Sequence, residues 1–215
     1  MRKHVNSLLI VAAIIAMFAG YRFITGPRGF RAVVTPLVVL GDEPLQVAVS
    51  IIEPIEIELK KGRAILTPFA YYAVAARIGG RKRYGGEWPA RLARYDLLLL
   101  WGELATQPID DIEFKQEMRW YSFRLPRNSP RDLQYVSRHS ANNHMIPGSS
   151  NLRRAISRLD EGDIVLLEGY LVDISGEYDG GPIYWNSSRT REDGGNGACE
   201  VFLLTSLTRD GKVYR

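Results

Sequence analysis

Apolar residues run without a polar break from Leu8 to Ala19 and continue through Tyr21, Phe23 and Ile24, after which short apolar stretches alternate with polar ones. The 17 residues from Leu8 to Ile24 predict a transmembrane helix bordered by Ser7 and Thr25, with Arg22 near enough to one end to snorkel. A cleaved secretory signal is the competing reading. It lacks a small-x-small site, because Met17 and Phe18 stand where small residues are wanted before Ala19 and Gly20. Arg2 and Lys3 keep the short tail cytoplasmic, which places the rest in the periplasm as the C-terminal domain of a single-pass protein of the bacterial inner membrane.

Beyond the Gly26–Gly29 break the pattern is that of strands. Ala32 to Leu40 and Leu45 to Ile52 are Val- and Leu-rich, and Ile55, Ile57 and Leu59 alternate with Glu56, Glu58 and Lys60 as in a half-buried strand. Lys61-Gly62 reads as a turn. Phe69 to Ile78 fits strand or helix, with Tyr71, Tyr72 and Val74 favouring strand, and Gly79 to Gly86 reads as a basic loop. Leu97 to Trp101 must be buried, and Ile112, Phe114, Trp120, Tyr121 and Phe123 suggest further strand before the Pro126–Pro130 break. Leu152, Ala155, Ile156 and Leu159 recur at helical spacing behind a capping serine at 149 or 150. Ile164 to Ile174 is a long strand with Gly169 marking a bulge or a close backbone approach. Ser175 to Pro182 reads as a turn, Ile183 to Trp185 as a strand, Arg191 to Gly197 as a loop and Cys199 to Leu207 as the last core strand.

Together these elements predict a mainly β chain with minor α (α+β): an N-terminal transmembrane helix, then a small OB/SH3-like, partly open barrel-type soluble region. Residues 1–25 form the anchor, 26–130 a β-rich membrane-proximal region and 131–215 a β-barrel-like C-terminal region, the last two being one domain or two.

Charge adds little. The formal net charge of +4 falls to +1 once the three cations of the first 25 residues are set aside, so nucleic acid is not expected without a local basic patch. The lone Cys199 excludes an intramolecular disulfide and a cysteine-rich zinc site.

Three polar clusters carry the candidate chemistry. The first, Arg138 to Pro147, reads as a loop; it holds His139, Ser140, Asn142, Asn143 and His144, and the two histidines are the metal candidates, with Asp193, Glu200 or Cys199 as a third ligand only if the fold brings one close. The second, Trp185 to Glu200, offers Ser187, Ser188, Arg189, Arg191, Asp193 and Glu200 for binding, with Cys199 beside them. A thiol or hydroxyl, an imidazole and a carboxylate are the ingredients of nucleophilic catalysis, which makes His139, Ser140, His144 and Cys199 the catalytic candidates. The third is Arg77, Arg81, Lys82, Arg83, Arg91 and Arg94, interleaved with Tyr84 and Trp88 and suited to anionic headgroups, with Arg81, Lys82 and Arg83 as its basic patch.

Several of these runs occur together in a group that the chain resembles: bacterial single-span membrane proteins of uncharacterised function. The shared runs are Gly80 to Tyr84, Arg119 to Tyr121, the His-Ser-Ala-Asn-x-His-x-Ile-Pro stretch at 139–147, the Gly-Asp-x-Val-x-Leu-Glu-Gly-Tyr-Leu pattern at Gly162 to Leu171, and Gly-Ala-Cys-Glu at 197–200. The resemblance covers most of the chain after residue 65 and implies that Arg119, Trp120 and these loops belong to one unit.

The expected function is therefore that of a membrane-anchored envelope domain that binds a protein partner or ligand without catalysis and without a cofactor. The membrane is held through residues 7–24, and another membrane or envelope protein is the natural partner. The rivals are a hydrolase or metal-dependent enzyme using His139 and His144 with Ser187 to Glu200, and a subunit of a membrane assembly.

Overall fold

The structure, a computed structural model, describes residues 25–31, 36–50, 52–189 and 199–215. Its strands are β1 (Phe30–Arg31), β2 (Leu45–Ala48), β3 (Ile55–Leu59), β4 (Gly62–Arg83), β5 (Tyr95–Leu100), β6 (Glu113–Glu117), β7 (Trp120–Arg124), β8 (Ser140–Pro147), β9 (Ile164–Tyr178), β10 (Gly181–Trp185), β11 (Cys199–Arg209) and β12 (Lys212–Tyr214). Its short helices are α1 (Pro89–Leu92), α2 (Glu103–Thr106), α3 (Leu133–Arg138) and α4 (Ser150–Ile156).

Five strands close a ring. β4 pairs antiparallel with β5, β5 with β8, β11 with β9 and β9 back with β4, while β8 and β11 run parallel. Counted along the chain, the ring order is first, second, third, fifth, fourth and back to first, with α4 between the third and fourth strands. That is the strand order of five-stranded Greek-key barrels of the OB kind. Strands from either side of Pro126–Pro130 share this one sheet.

Alternation along each strand fills the barrel: Val74, Ala76 and Ile78, Leu97 and Leu99, Met145, Leu167 and Leu171, Phe202 and Leu204 form one buried cluster, with Leu152, Ile156 and Leu159 packed onto it. The Ser149 hydroxyl caps α4 by accepting from the Leu152 amide at 3.1 Å. β4 and β9 outrun the barrel. They stay paired from Arg77 and Ile164 out to Gly62 and Tyr178, and β3 and β10 flank them to make a four-stranded extension. Its apolar face, Ala64, Leu66, Ile174 and Ile183, folds onto Leu92, Ile146, Val201 and Leu203 on the outside of the barrel.

Several sequence expectations are corrected. Residues 1–24 lie outside the described residues. Among the described residues the longest helix is the seven-residue α4, and none is long and apolar enough to cross a membrane. The expected N-terminal transmembrane helix, and with it the single-pass inner-membrane location with a periplasmic domain, is therefore unsupported. Gly79 to Gly86 is not a loop from its start, because β4 continues to Arg83. Gly79 allows this, since a Cβ there would sit 2.8 Å from the Leu100 side chain beside the bulge between Ile78 and Gly80. The turn expected over Ser175 to Pro182 shrinks to Asp179-Gly180, both with positive φ, between β9 and β10.

Gly169 marks a close approach, as its position in the strand suggested: a Cβ there would lie 2.0 Å from the Leu203 carbonyl oxygen on β11. Gly169→Ala should lower stability by about 1–3 kcal/mol in urea unfolding. Gly85→Ala, where a Cβ meets nothing within 4 Å, should change it by no more than about 0.5 kcal/mol.

Candidate functional site

The His139–Pro147 stretch, expected as a loop, is the central strand β8, with Ser140 through Ile146 all buried. Its register explains what the polar residues do. His139 caps α3 just before the strand and its ring meets Glu43 and Tyr135, whereas His144 lies within the strand and its ring meets Asp96 and Trp185, so the two imidazoles have separate surroundings. They cannot share a metal ion, and the described residues hold no group of three or more potential metal ligands.

His139 ends α3. Its ring stacks on Tyr135 at 3.7 Å, Nδ1 lies 2.8 Å from the Tyr135 carbonyl oxygen, and Nε2 meets Glu43 Oε1 at 2.9 Å. Ser140 donates to the Val136 carbonyl at 2.6 Å and contacts the Tyr121 hydroxyl. Both residues tie β8 to its neighbours.

His144 and Asn142 face outward from the barrel, where Asp96 of β5 and Cys199 of β11 are their register neighbours. Asp96 is completely buried and receives Arg119 Nη1 at 2.7 Å and the Asn142 amide at 3.3 Å. His144 Nδ1 comes within 3.0 Å of Asp96 Oδ2, but off the line of the ring N–H, so it is a close polar contact rather than an aligned hydrogen bond. Asn142 Nδ2 also donates to the Arg119 carbonyl at 2.8 Å, and its Oδ1 accepts from Gln116 at 2.8 Å.

Arg119 closes the cluster from above. It sits in the two-residue turn of the β6–β7 hairpin, and both Met118 (φ 46°) and Arg119 (φ 70°) are left-handed. Two such non-glycine residues cost about 1–3 kcal/mol each. The guanidinium offsets this cost by binding Asp96, Glu87 Oε1 at 2.8 Å and the Ala93 carbonyl at 2.9 Å, while lying 4.1 Å over the Tyr84 ring and 5.6 Å from the Trp185 ring. Trp185 also leans on His144 at 4.6 Å and meets Trp88 edge-on.

Cys199 shares this face, its thiol 3.6 Å from the Arg119 carbonyl oxygen. Burial pushes its pKa from 9.0 up to about 12, the hydrogen bond with Asn142 lowers it only in part, and the Asp96 and Glu200 carboxyls raise it further. The thiol stays protonated at neutral pH and is a poor nucleophile. Burial likewise raises the Tyr121 and Tyr84 hydroxyls.

The second sequence cluster is divided. Ser187 donates to Glu200 Oε2 at 2.9 Å and accepts from the Val201 amide, while the Ser188 amide donates to the Cys199 carbonyl. Asn143 points into the barrel and gives its amide to the Ala141 carbonyl. Arg189 goes elsewhere, to Asp173 and the face of Phe69 at 3.7 Å. Arg191 and Asp193 lie outside the described residues. The basic run is also split: Arg81 is spent on the Ser157 carbonyl and Asp160, while Lys82 and Arg83 are exposed. Trp120 is partly exposed beside Arg119.

Asp96 and Gln116 are the members that sequence reasoning missed. A lone carboxylate heading the apolar run Leu97–Leu100 was the available signal for Asp96, because a charge in such a run needs a partner. No family model matches the sequence, and no curated protein or solved structure matches it either.

Removing the Arg119 side chain strands a buried carboxyl, so Arg119→Ala should lose about 3–5 kcal/mol in chemical denaturation, and Arg119→Lys should recover only part of that. Cys199 in the native protein should resist iodoacetamide at pH 8 and react promptly once unfolded, as followed by intact mass. The unfolded thiol ionises near 9.0 and the folded one near 12, so the unfolded state binds fewer protons between these values. Stability should therefore fall as pH rises through that window, and Cys199→Ala should flatten the fall.

Proposed function

We propose that this chain is a non-catalytic binding module whose partner is a protein with an apolar cleft that accepts the tip of the β6–β7 hairpin. The observation that carries this reading is the division of labour in the turn. Arg119 points inward and is locked to Asp96, while its neighbours Met118 and Trp120 stand 83% and 41% exposed. A tryptophan and a methionine on a rigid hairpin form a pre-organised anchor, which loses little entropy on docking. Lys115 and Glu117, paired at 3.0 Å on the same hairpin, supply a polar rim.

The groups that would perform hydrolysis support the same reading by their engagement. His144 and Asp96 resemble a base with its orienting carboxyl, but the nearby thiol is held protonated and Arg119 covers the pair. The hydrolase rival requires His144→Ala to abolish turnover in a folded protein, whereas a structural His144 should lower the unfolding midpoint.

A photo-crosslinking residue in place of Trp120, in cells making the full chain, should give a discrete protein adduct, and the same probe at exposed Arg127 should not. Adducts at both positions alike, or none at 120, would remove the hairpin tip as the docking element.

A further inference from the structure

Arg91 on α1 and Arg94 just ahead of β5 come from one stretch of chain, Arg153 on α4 from another, and the three line one pocket of about 130 Å³. Its floor is apolar: Met145 and Ile156 are 1% exposed and Leu92 is 6% exposed, with Tyr95 and Pro147 beside them. None of the three guanidiniums has a carboxylate within ion-pairing distance among the described residues. Elsewhere the chain does pair its arginines, as in Arg131 with Asp111 and Arg209 with Asp163. Three exposed like charges lining one depression make it electropositive and favour an anion there.

We propose that this pocket binds a phosphoryl group bearing a small apolar substituent. Guanidinium forks match phosphate oxygens, and the Met145–Ile156 floor accepts the apolar part. The volume is below the roughly 300 Å³ at which pockets for larger ligands begin, which limits the occupant to a compact group. A nucleic-acid strand is disfavoured, because Tyr95, the one aromatic lining the pocket, is already covered by Arg81 at 5.5 Å and offers no free stacking platform. The phosphoryl group has two sources, a soluble phosphate ester or an anionic phospholipid headgroup. The site shares no residue with the hairpin tip, so each proposal can fail without the other.

Two probes test it on the full chain at fixed ionic strength: phenyl phosphate by calorimetry, and vesicles of phosphatidylglycerol against phosphatidylcholine by sedimentation. Wild type should bind at least one. R94Q/R153Q should weaken that binding by about tenfold or more with an unchanged melting curve. R127Q/R138Q, which removes the same charge from exposed positions outside the pocket, should change it less than about twofold. Phenyl phosphate binding assigns a soluble ester, and binding to phosphatidylglycerol alone assigns the headgroup. The proposal is overturned if neither probe binds, or if both double variants weaken binding equally.

Discussion

A carboxyl group with no exposure to water has to be matched from within the protein, and in this chain Asp96 sets that requirement. The match is assembled from distant segments: Arg119 from a hairpin inserted between the second and third barrel strands, and His144 and Asn142 from the third strand itself, with Trp185 of the extension packed on Arg119 and His144. Each contact fixes a different element against the barrel wall. The hairpin can hold two left-handed residues in its turn because Asp96 binds the arginine that they present. The interaction thus couples local backbone strain to global packing, and Arg119 is a positioning residue for everything the hairpin displays.

The same network explains why residues that look catalytic in a list are quiet in the fold. Nucleophile, imidazole and carboxyl share one face of the sheet, because β8 and β11 run side by side with Cys199 opposite Asn142 and β5 sets Asp96 opposite His144. Yet the environment that assembles them also excludes water, and desolvation acts on the thiol more strongly than the one hydrogen bond that favours its charged form. Proximity and reactivity are separate properties, and burial sets them against each other here.

Much of the β framework was legible in the sequence because alternation and glycine placement are local signals. The Ile55–Leu59 strand, the helix capped at Ser149 and the close approach at Gly169 all follow from residues that make their own case. The identity of β8 was hidden. Asn142, Asn143 and His144 lower the apparent hydrophobicity of a buried strand, and the burial of Asn142 and His144 is offset by Asp96 in β5 and by Gln116 and Arg119 on the hairpin, which no local signal reveals. The division of the basic residues was hidden for a similar reason: Arg153 lies some sixty residues from Arg91 and joins it only when α4 docks on the barrel. A span at the amino end was read from hydropathy alone, and no described helix carries that reading further.

The length of β4 has a mechanical consequence. At 22 residues it extends about 70 Å if straight, and it serves as a wall of the barrel at one end and as an inner strand of the extension at the other. β9 accompanies it for most of that distance. The extension is therefore joined to the barrel by strands and not by a linker, its paired ladder broken only by the irregularity between Pro68 and Ala70, so a load applied to its tip passes along β4 and β9 into the barrel. Whatever grips the outer sheet pulls on strands that also wall the core.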